Sequence, residues 1–151
     1  MKLNGLDVQG ILPHRYPFLF IDNVVDFVDG ESVHCQKLVS NSDPILQGHF
    51  PGNPILPGVV QVEAMAQAAV LLANLSGHFD PAKHVCLFMG IKEAKFRNPV
   101  RPGEVLDIRI TAERLGRIGK FSGAITCGEE KKSSGKFTAI IEAKPEEEAG
   151  E

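Results

Sequence analysis

The pattern of apolar and polar residues divides the chain into a short amphipathic segment, one long apolar segment and a series of strand-like runs. Residues 6–12 predict a short helix that a proline ends. Residues 18–27 (FLFIDNVVDF) predict a strand rich in aromatic and β-branched side chains. Asp29-Gly30 is a common hairpin dipeptide, and residues 31–40 after it predict a second strand, followed by a polar turn.

The long apolar segment, residues 59–73 (VVQVEAMAQAAVLLA), contains twelve apolar and three polar residues. Its apolar positions are not confined to one stripe, and a helix that is apolar nearly all round is a buried helix. Its many alanines predict that another element packs closely against its backbone. The preceding loop, residues 51–58 (PGNPILPG), is Pro or Gly at five of eight positions, so it can hold a fixed irregular shape. We therefore expect a central helix that begins near Gly58.

The rest of the chain carries strand patterns without an intervening amphipathic helix, so we expect consecutive strands to pair antiparallel. The predicted strands are residues 85–91, 94–100, 104–115, 119–127 and 136–143, the last two joined by the turn-rich segment 128–135. The expected fold is one α+β domain over residues 1–144, in which a sheet wraps around one buried helix. Residues 145–151 are expected to form an acidic, frayed tail.

Composition narrows the class of protein further. The chain has 151 residues, 43% hydrophobic and 23% charged, with a net charge of −3, which is typical of one globular domain and argues against nucleic acid as a partner. Its three cysteines, Cys35, Cys86 and Cys127, lie in strand-like runs and are expected to be buried free thiols. The N-terminus lacks the apolar run of a secretory signal, and polar residues interrupt the longest apolar segment short of a membrane span. We expect a cytoplasmic protein without a membrane partner.

One acid, Glu63, lies inside the long apolar segment. No Lys or Arg occurs between Lys37 and Lys83, and Gln67, one helical turn away, can supply a hydrogen bond but no charge. Burial should favour the protonated form of this carboxyl group, which is the form that a general acid needs. The alternative is a helix glutamate that reaches solvent at a gap in the packing.

A histidine, His49, precedes the rigid loop that leads into the helix at Gly58. Free backbone N–H groups and the helix dipole favour developing negative charge at a helix N-terminus. A base, an acid and an oxyanion site within fifteen residues form a catalytic set, and the alternative is a structural histidine. His49 and Glu63 are too far apart for an HExxH helix and the cysteines lack metal spacing, so we expect no metal.

The stretch GHFPGNPILPGVVQVEAMAQ (residues 48–67) closely resembles the signature of the β-hydroxyacyl-acyl-carrier-protein dehydratases of bacterial type II fatty acid synthesis, of the FabZ type. Residues 12–22 (LPHRYPFLFID) and 90–106 (GIKEAKFRNPVRPGEVL) match the same family in the same order. The resemblance implies the hot-dog fold, a curved antiparallel sheet wrapped around a long central helix. It also implies a homodimer, often assembled as a trimer of dimers, with no cofactor. In that family the His and the acid come from different subunits, at the ends of a tunnel along the interface.

The resemblance also implies roles for individual residues. His49 matches the catalytic His, Glu63 matches the catalytic acid, and Gly58 matches the residue whose backbone N–H polarises the thioester carbonyl. The related dehydratase-isomerase branch has Asp at the position of Glu63, so this chain resembles the dehydratase-only type. The implied reaction converts (3R)-3-hydroxyacyl chains on acyl carrier protein to trans-2-enoyl chains and water.

Other positions are implied more weakly by the same resemblance. Lys95 and Arg97 are candidates for docking an acidic carrier protein, or they form the solvated face of a strand. His14, Arg15 and Tyr16 match the HRYPF motif of the family and are expected to form a structural turn. Many relatives have a tyrosine near the tunnel mouth, where this chain offers Leu87 and Phe88. The candidate tunnel residues are Phe50, Pro57, Val59, Gln67, Leu87 and Phe88.

Two other functions are compatible with the expected fold, since function belongs to the site rather than to the fold. A hot-dog thioesterase would hydrolyse the acyl thioester instead of dehydrating it. A non-enzymatic subunit would bind acyl chains or act as a scaffold in a synthase complex. The HFPG loop and the presence of His49, Gly58 and Glu63 together favour dehydration.

Overall fold

The computed structural model describes residues 2–47 and 52–145 and has the predicted α+β architecture. The helices are α1 (Gly5–Ile11), α2 (Pro44–Gln47) and α3 (Gly58–Leu75). The strands are β1 (Asn23–Val28), β2 (Ser32–Leu38), β3 (His84–Phe96), β4 (Val105–Arg114), β5 (Ile118–Cys127) and β6 (Glu130–Ala143).

The six strands form one antiparallel sheet in the order β1-β2-β4-β5-β6-β3, and α3 packs against it. The expectation of a hot-dog fold, with a sheet around a central helix, is confirmed. Consecutive strands pair in three cases, β1 with β2, β4 with β5, and β5 with β6. The prediction is wrong for β3, which pairs with β6 and leaves β4 to pair with β2. As a result β3 is an edge strand.

The central helix α3 is buried as its composition predicts. By length and composition it could also cross a membrane, so the prediction that it falls short of a span is wrong on that criterion. Two thirds of it is buried inside the fold, which is the arrangement of a core helix. Its buried residues are Val60, Gln61, Ala64, Met65, Ala66, Gln67, Ala68, Ala69, Val70, Leu71, Leu72 and Ala73.

The close approach to this helix is clearest at Gly123 on β5. A Cβ atom at Gly123 would lie 2.7 Å from Cδ1 of Ile110 and 3.0 Å from Sδ of Met65. Gly135, its partner across the ladder on β6, has only Cα of Ala94 nearby, at 3.9 Å. Strand β5 therefore has no free space for a side chain at position 123, whereas β6 has space for a small side chain at position 135.

Gly123→Ala is expected to lower the free energy of unfolding by about 1–3 kcal/mol, because the new methyl group overpacks the interface between the sheet and α3. Gly135→Ala is the matched control, with a change in chain entropy of the same kind and no close contact. Denaturant unfolding of both variants measures the difference. Equal stabilities for the two variants would contradict the packing argument.

Several local predictions are corrected by the structure. Strand β1 begins at Asn23 rather than Phe18, and α2 lies where only a turn was expected. Residues 84–96 form one strand with two irregularities in place of two separate strands. The polar segment after Gly128 belongs to β6, because its backbone pairs with β5. The turn between the two strands is short, and it includes Gly128, whose φ is 58°.

The cysteines are free thiols, and of the three only Cys35 is fully buried. Burial raises the pKa of Cys35 to about 12, so it remains a protonated, inert side chain near neutral pH. Cys86 and Cys127 are partly exposed, which corrects the expectation that all three are buried. The predicted acidic tail falls almost entirely at residues 146–151, outside the described part of the chain, and stays a prediction.

Candidate functional site

Glu63 lies in the second turn of α3, with 28% of its side chain exposed in the single chain. Its Oε1 atom accepts a hydrogen bond from Nε2 of Gln67 at 3.3 Å and lies 3.6 Å from Nε2 of His14. The predicted hydrogen bond from Gln67 is confirmed. The expected burial of this carboxyl group is incomplete in the single chain, where it has one polar and one titratable neighbour.

Gln67 fixes the position of Glu63 relative to the segment before β1. Its Oε1 atom accepts from the backbone N–H of Phe20, and its Nε2 atom donates to the carbonyl oxygen of Phe18, both at 2.9 Å. The side chain is buried, so these hydrogen bonds are shielded from water. Gln67 thus joins the segment containing Phe18 and Phe20 to the face of α3 that carries Glu63.

The loop that carries His14 is held by its neighbour Arg15. The Arg15 guanidinium donates to the carbonyl oxygens of Leu12 at 2.8 Å, His14 at 2.7 Å and Gln9 at 2.9 Å, which caps the end of α1. The His14 ring packs near Phe18, with ring centroids 6.2 Å apart. The predicted structural turn is therefore confirmed for these side chains, whereas Tyr16 is exposed.

The contact between His14 and Glu63 is the site feature that sequence reasoning missed. Burial lowers the pKa of His14, the Glu63 carboxylate opposes this by raising it, and the charge of Arg15 lowers it further. The two side chains are 49 positions apart, so no local spacing relates them. The HRYPF motif was the available signal, since it placed a titratable residue in a stretch that matched the family.

Gly58 is the first residue of α3, so its backbone N–H has no acceptor within the helix. The ring of Phe96 lies directly over it, and a Cβ atom at Gly58 would come within 2.8 Å of Cε1 of that ring. Any larger residue at this position would displace the Phe96 ring. Gly58 and Glu63 are brought onto adjacent turns of one helix, as the sequence predicted.

His49 and Phe50 lie outside the described residues, so the base of the predicted catalytic set and one candidate tunnel residue stay predictions. Lys95 and Arg97 lie at and just after the end of β3 and are exposed, and their docking role also stays a prediction. Among residues 2–47 and 52–145, no group of three or more His, Cys, Asp or Glu side chains could hold a metal ion.

A groove of about 250 Å³ runs beside His14, between α3 and the beginning of β3. Of the five candidate tunnel residues that the structure describes, Leu87 lines this groove. Burial raises the pKa of Cys86, also in the groove, to about 11, so this thiol is not an activated nucleophile. The groove is lined by Pro13, His14, Val70, Phe79, Pro81, His84, Val85, Cys86, Leu87 and Lys144.

The other described tunnel candidates are not brought together in this groove. Gln67 is buried behind Glu63, Pro57 is partly buried at the start of α3, and Val59 is 77% exposed. Phe88 packs against Phe137 with ring centroids 5.9 Å apart and lines a separate apolar pocket. Within the single chain, the five candidates that the structure describes therefore do not form one continuous wall.

Comparison with known proteins gives a consistent result across the chain. A family model described as the FabA-like domain matches residues 12–135. The chain is 48% identical over 143 residues to the 3-hydroxyacyl-[acyl-carrier-protein] dehydratase FabZ of Latilactobacillus sakei, covering 93% of this chain and 99% of that protein. It is 44% identical over 135 residues to the FabZ of Novosphingobium aromaticivorans, covering 89% and 85%.

Solved structures of other proteins have folds similar to that of this chain. The dehydratase heterocomplex ApeI:P from Xenorhabdus doucetiae includes a chain that is 26% identical, with a TM-score of 0.74, covering 89% of this chain and 90% of that one. A thioesterase from Pseudomonas aeruginosa has a TM-score of 0.62 at 17% identity, covering 82% of each chain. At that identity the thioesterase shows a common fold and nothing about the reaction.

Proposed function

The chain belongs to the FabZ-type 3-hydroxyacyl-[acyl-carrier-protein] dehydratases, and from this premise we propose that His49 is the base and Glu63 the acid of the reaction. It is an enzyme that dehydrates 3-hydroxyacyl chains on acyl carrier protein in fatty acid synthesis. The observation that carries the assignment of the acid is the position of Glu63. It is a partly exposed carboxyl group on a largely buried helix, held by Gln67.

In this proposal His49 removes the weakly acidic proton at Cα of the (3R)-3-hydroxyacyl thioester. The backbone N–H of Gly58 stabilises the enolate-like oxygen that develops on the thioester carbonyl. Protonated Glu63 gives its proton to the C3 hydroxyl group, which leaves as water and yields the trans-2-enoyl thioester. In the described part of the chain no Lys or Arg forms an ion pair with Glu63, so the carboxyl group is left free to contact the substrate.

We propose that the active unit is a homodimer, further assembled as a trimer of dimers, with His49 and Glu63 of each site supplied by different subunits. The edge strand β3 supports this proposal, because it exposes large apolar side chains where a second sheet could pair. The exposure of Glu63 in the single chain also supports it, since a partner would complete the wall of the site. The large exposed apolar residues of β3 are Leu87, Phe88, Met89, Ile91 and Phe96.

The acyl chain is proposed to occupy the groove beside His14, together with surfaces that the second subunit supplies. Its lining is mostly apolar, which suits a hydrocarbon chain. Lys95 and Arg97 at the end of β3 are proposed to attract the acidic carrier protein. A cytoplasmic location stays a prediction.

The reaction itself is tested with purified protein and 3-hydroxyacyl carrier proteins of several chain lengths. We expect absorbance of the enoyl thioester to appear without release of free thiol. Thiol release in place of enoyl formation would support a hot-dog thioesterase. Binding of acyl carrier protein without either product would support a non-enzymatic scaffold.

The shared site predicts complementation between two inactive variants. After subunit exchange between His49→Ala and Glu63→Gln, about half of the dimers are mixed and each mixed dimer has one intact site of two, so activity should recover to about a quarter of wild type. Each variant exchanged with itself is the control and should stay inactive. If mixed dimers form and activity does not recover, the His and the acid act within one chain.

A further inference from the structure

Dehydration with a separate acid and base leaves both groups in the wrong protonation state for the next turnover. If His49 removes the Cα proton and Glu63 protonates the leaving hydroxyl group, the enzyme ends with a protonated His49 and an ionised Glu63. His49 can release its proton to solvent. Glu63 must then gain a proton before the next substrate reacts. The inference below rests on this proposed function and concerns where that proton comes from.

His14 is the titratable side chain next to Glu63 in the described structure. Its Nε2 atom is 3.6 Å from Oε1 of Glu63, which is beyond hydrogen-bond distance but within reach of a small rotation of either side chain. Catalytic hydrogen bonds are often long without substrate and tighten in the complex. Gln67, the other neighbour, donates to the same oxygen but its amide cannot titrate.

The charges around His14 suit a group that takes up a proton more readily when Glu63 is ionised. Burial lowers the pKa of His14 and the Glu63 carboxylate raises it, so the proton affinity of His14 increases when Glu63 loses its proton. The other titratable and charged groups around it are Arg15 in the same loop, and His84 and Lys144 across the groove. The positive charge of Arg15 disfavours a protonated His14 when Glu63 is neutral.

The groove gives His14 access to solvent. About a quarter of the side chain, 26%, is exposed, and the ring forms part of the groove lining. Its Nδ1 atom is buried and has no hydrogen-bond partner within residues 2–47 and 52–145. Nε2 is therefore the ring atom that can both receive a proton from the groove and face the carboxylate.

We propose that His14 acts through Glu63 by returning a proton to its carboxylate after each turnover. Nε2 of His14 takes a proton from a water or buffer acid in the groove and passes it to Oε1 of Glu63, which leaves His14 neutral and Glu63 protonated. His49 releases the proton from Cα to solvent, so the cycle gains and loses no proton. His14 is a positioning residue in this scheme, because it acts on the reaction only through Glu63, after the product has left the groove.

His14→Phe tests the relay, because it keeps a ring that packs near Phe18 and removes both titratable nitrogens. We expect kcat for enoyl formation in dilute buffer to fall about tenfold, with KM within about twofold of wild type. Adding imidazole, which can enter the groove and carry a proton, should restore kcat in proportion to its concentration. Wild type should show no dependence on imidazole.

His14→Gln separates proton transfer from hydrogen bonding, since glutamine can donate to Glu63 but cannot carry a proton. The relay requires this variant to be as slow as His14→Phe and to be restored by imidazole as well. His78→Gln, at an exposed position after α3, is the matched control and should behave as wild type. Thermal unfolding of each variant monitors the fold.

The outcomes distinguish the relay from the assignment of the acid. A fully active Glu63→Gln variant would overturn the proposed function and the relay with it. If Glu63→Gln is inactive while both His14 variants turn over at the wild-type rate in dilute buffer, only the relay is overturned. A slow His14→Phe variant that imidazole does not restore also overturns the relay, as does wild-type activity of His14→Gln in dilute buffer.

Discussion

Glu63→Gln and His49→Ala are each expected to lower the rate of dehydration by about a hundredfold or more, the usual scale for removing an acid or a base. Glutamine keeps the shape of Glu63 and its position beside Gln67, but it has no proton to give to the C3 hydroxyl group. Alanine at position 49 removes the base that takes the proton from Cα. The measurement is kcat for enoyl formation from a 3-hydroxyacyl carrier protein.

Replacing Glu63 by glutamine should abolish activity without changing stability much. Glu63→Gln keeps the volume of the side chain at a partly exposed position, so we expect little change in the free energy of unfolding. Glu113→Gln, at an exposed position on β4, is the matched control for loss of one carboxylate and should keep full activity. Near-wild-type turnover of Glu63→Gln would remove the general-acid role. Substantial destabilisation would instead identify Glu63 as an ionised structural partner of His14.

The parts of the fold that were predictable from sequence depend on local patterns. Residues 59–73 are apolar nearly all round, which is the pattern of a buried helix, and the strands β4 and β5 have clear apolar alternation bounded by turn residues. The position of β3 at the edge of the sheet was not predictable in this way. Pairing of β3 with β6 joins segments that are distant along the chain, and no period within either segment encodes it.

In the candidate site as well, local sequence patterns predict some contacts and not others. Gly58, Glu63 and Gln67 share one helix, so their spacing sufficed to predict which of them lie together. The approach of His14 depends on how the loop after α1 folds back over α3. That path is set by the hydrogen bonds of Arg15 and Gln67 to backbone atoms, which sequence spacing does not show.

A second long-range contact, at Lys132, explains why a segment expected to be a turn is a strand. Lys132 on β6 is 2% exposed, and its Nζ atom lies 2.8 Å from Oε2 of Glu104 and 2.9 Å from the carbonyl oxygen of Pro99. It also contacts the carboxylate of Glu130. The apolar stem of the lysine is buried while its charge is paired, so a polar sequence can continue the strand.

Lys132→Met is therefore expected to lower the free energy of unfolding by about 3 kcal/mol, near the lower end for breaking a buried ion pair, because Glu104 and Glu130 keep some contact with water. Methionine replaces the stem at similar volume, so the loss reports the charge and its hydrogen bonds. Lys136→Met on the same strand is the matched control. Lys136 is half exposed and pairs with an exposed Glu93 at 3.8 Å, so its removal should change stability little.

The difference in the free energy of unfolding between wild type and Lys132→Met should also depend on pH. Burial alone would raise the pKa of Glu104, but hydrogen bonds from Lys132 and from the backbone N–H of Arg101, with the charge of Lys132, lower it overall. A lowered folded pKa contributes stability above the unfolded value of about 4.3, and that stability is lost as pH falls through the folded value.

For Lys132 itself, the contribution to stability is lost as pH rises instead of as pH falls. Burial alone would lower the pKa of Lys132, but its hydrogen bonds to Glu104 and Glu130 and their charges raise it overall. A raised pKa contributes stability that is fully present below the unfolded value of about 10.4 and is lost as pH climbs through the folded value. Denaturant unfolding of wild type and Lys132→Met should thus show the largest difference between about pH 5 and pH 10, and smaller differences outside that window. A difference that stays constant from acid to alkaline pH would contradict the ion-pair argument, because the loss would then not depend on the ionisation of Lys132 or Glu104.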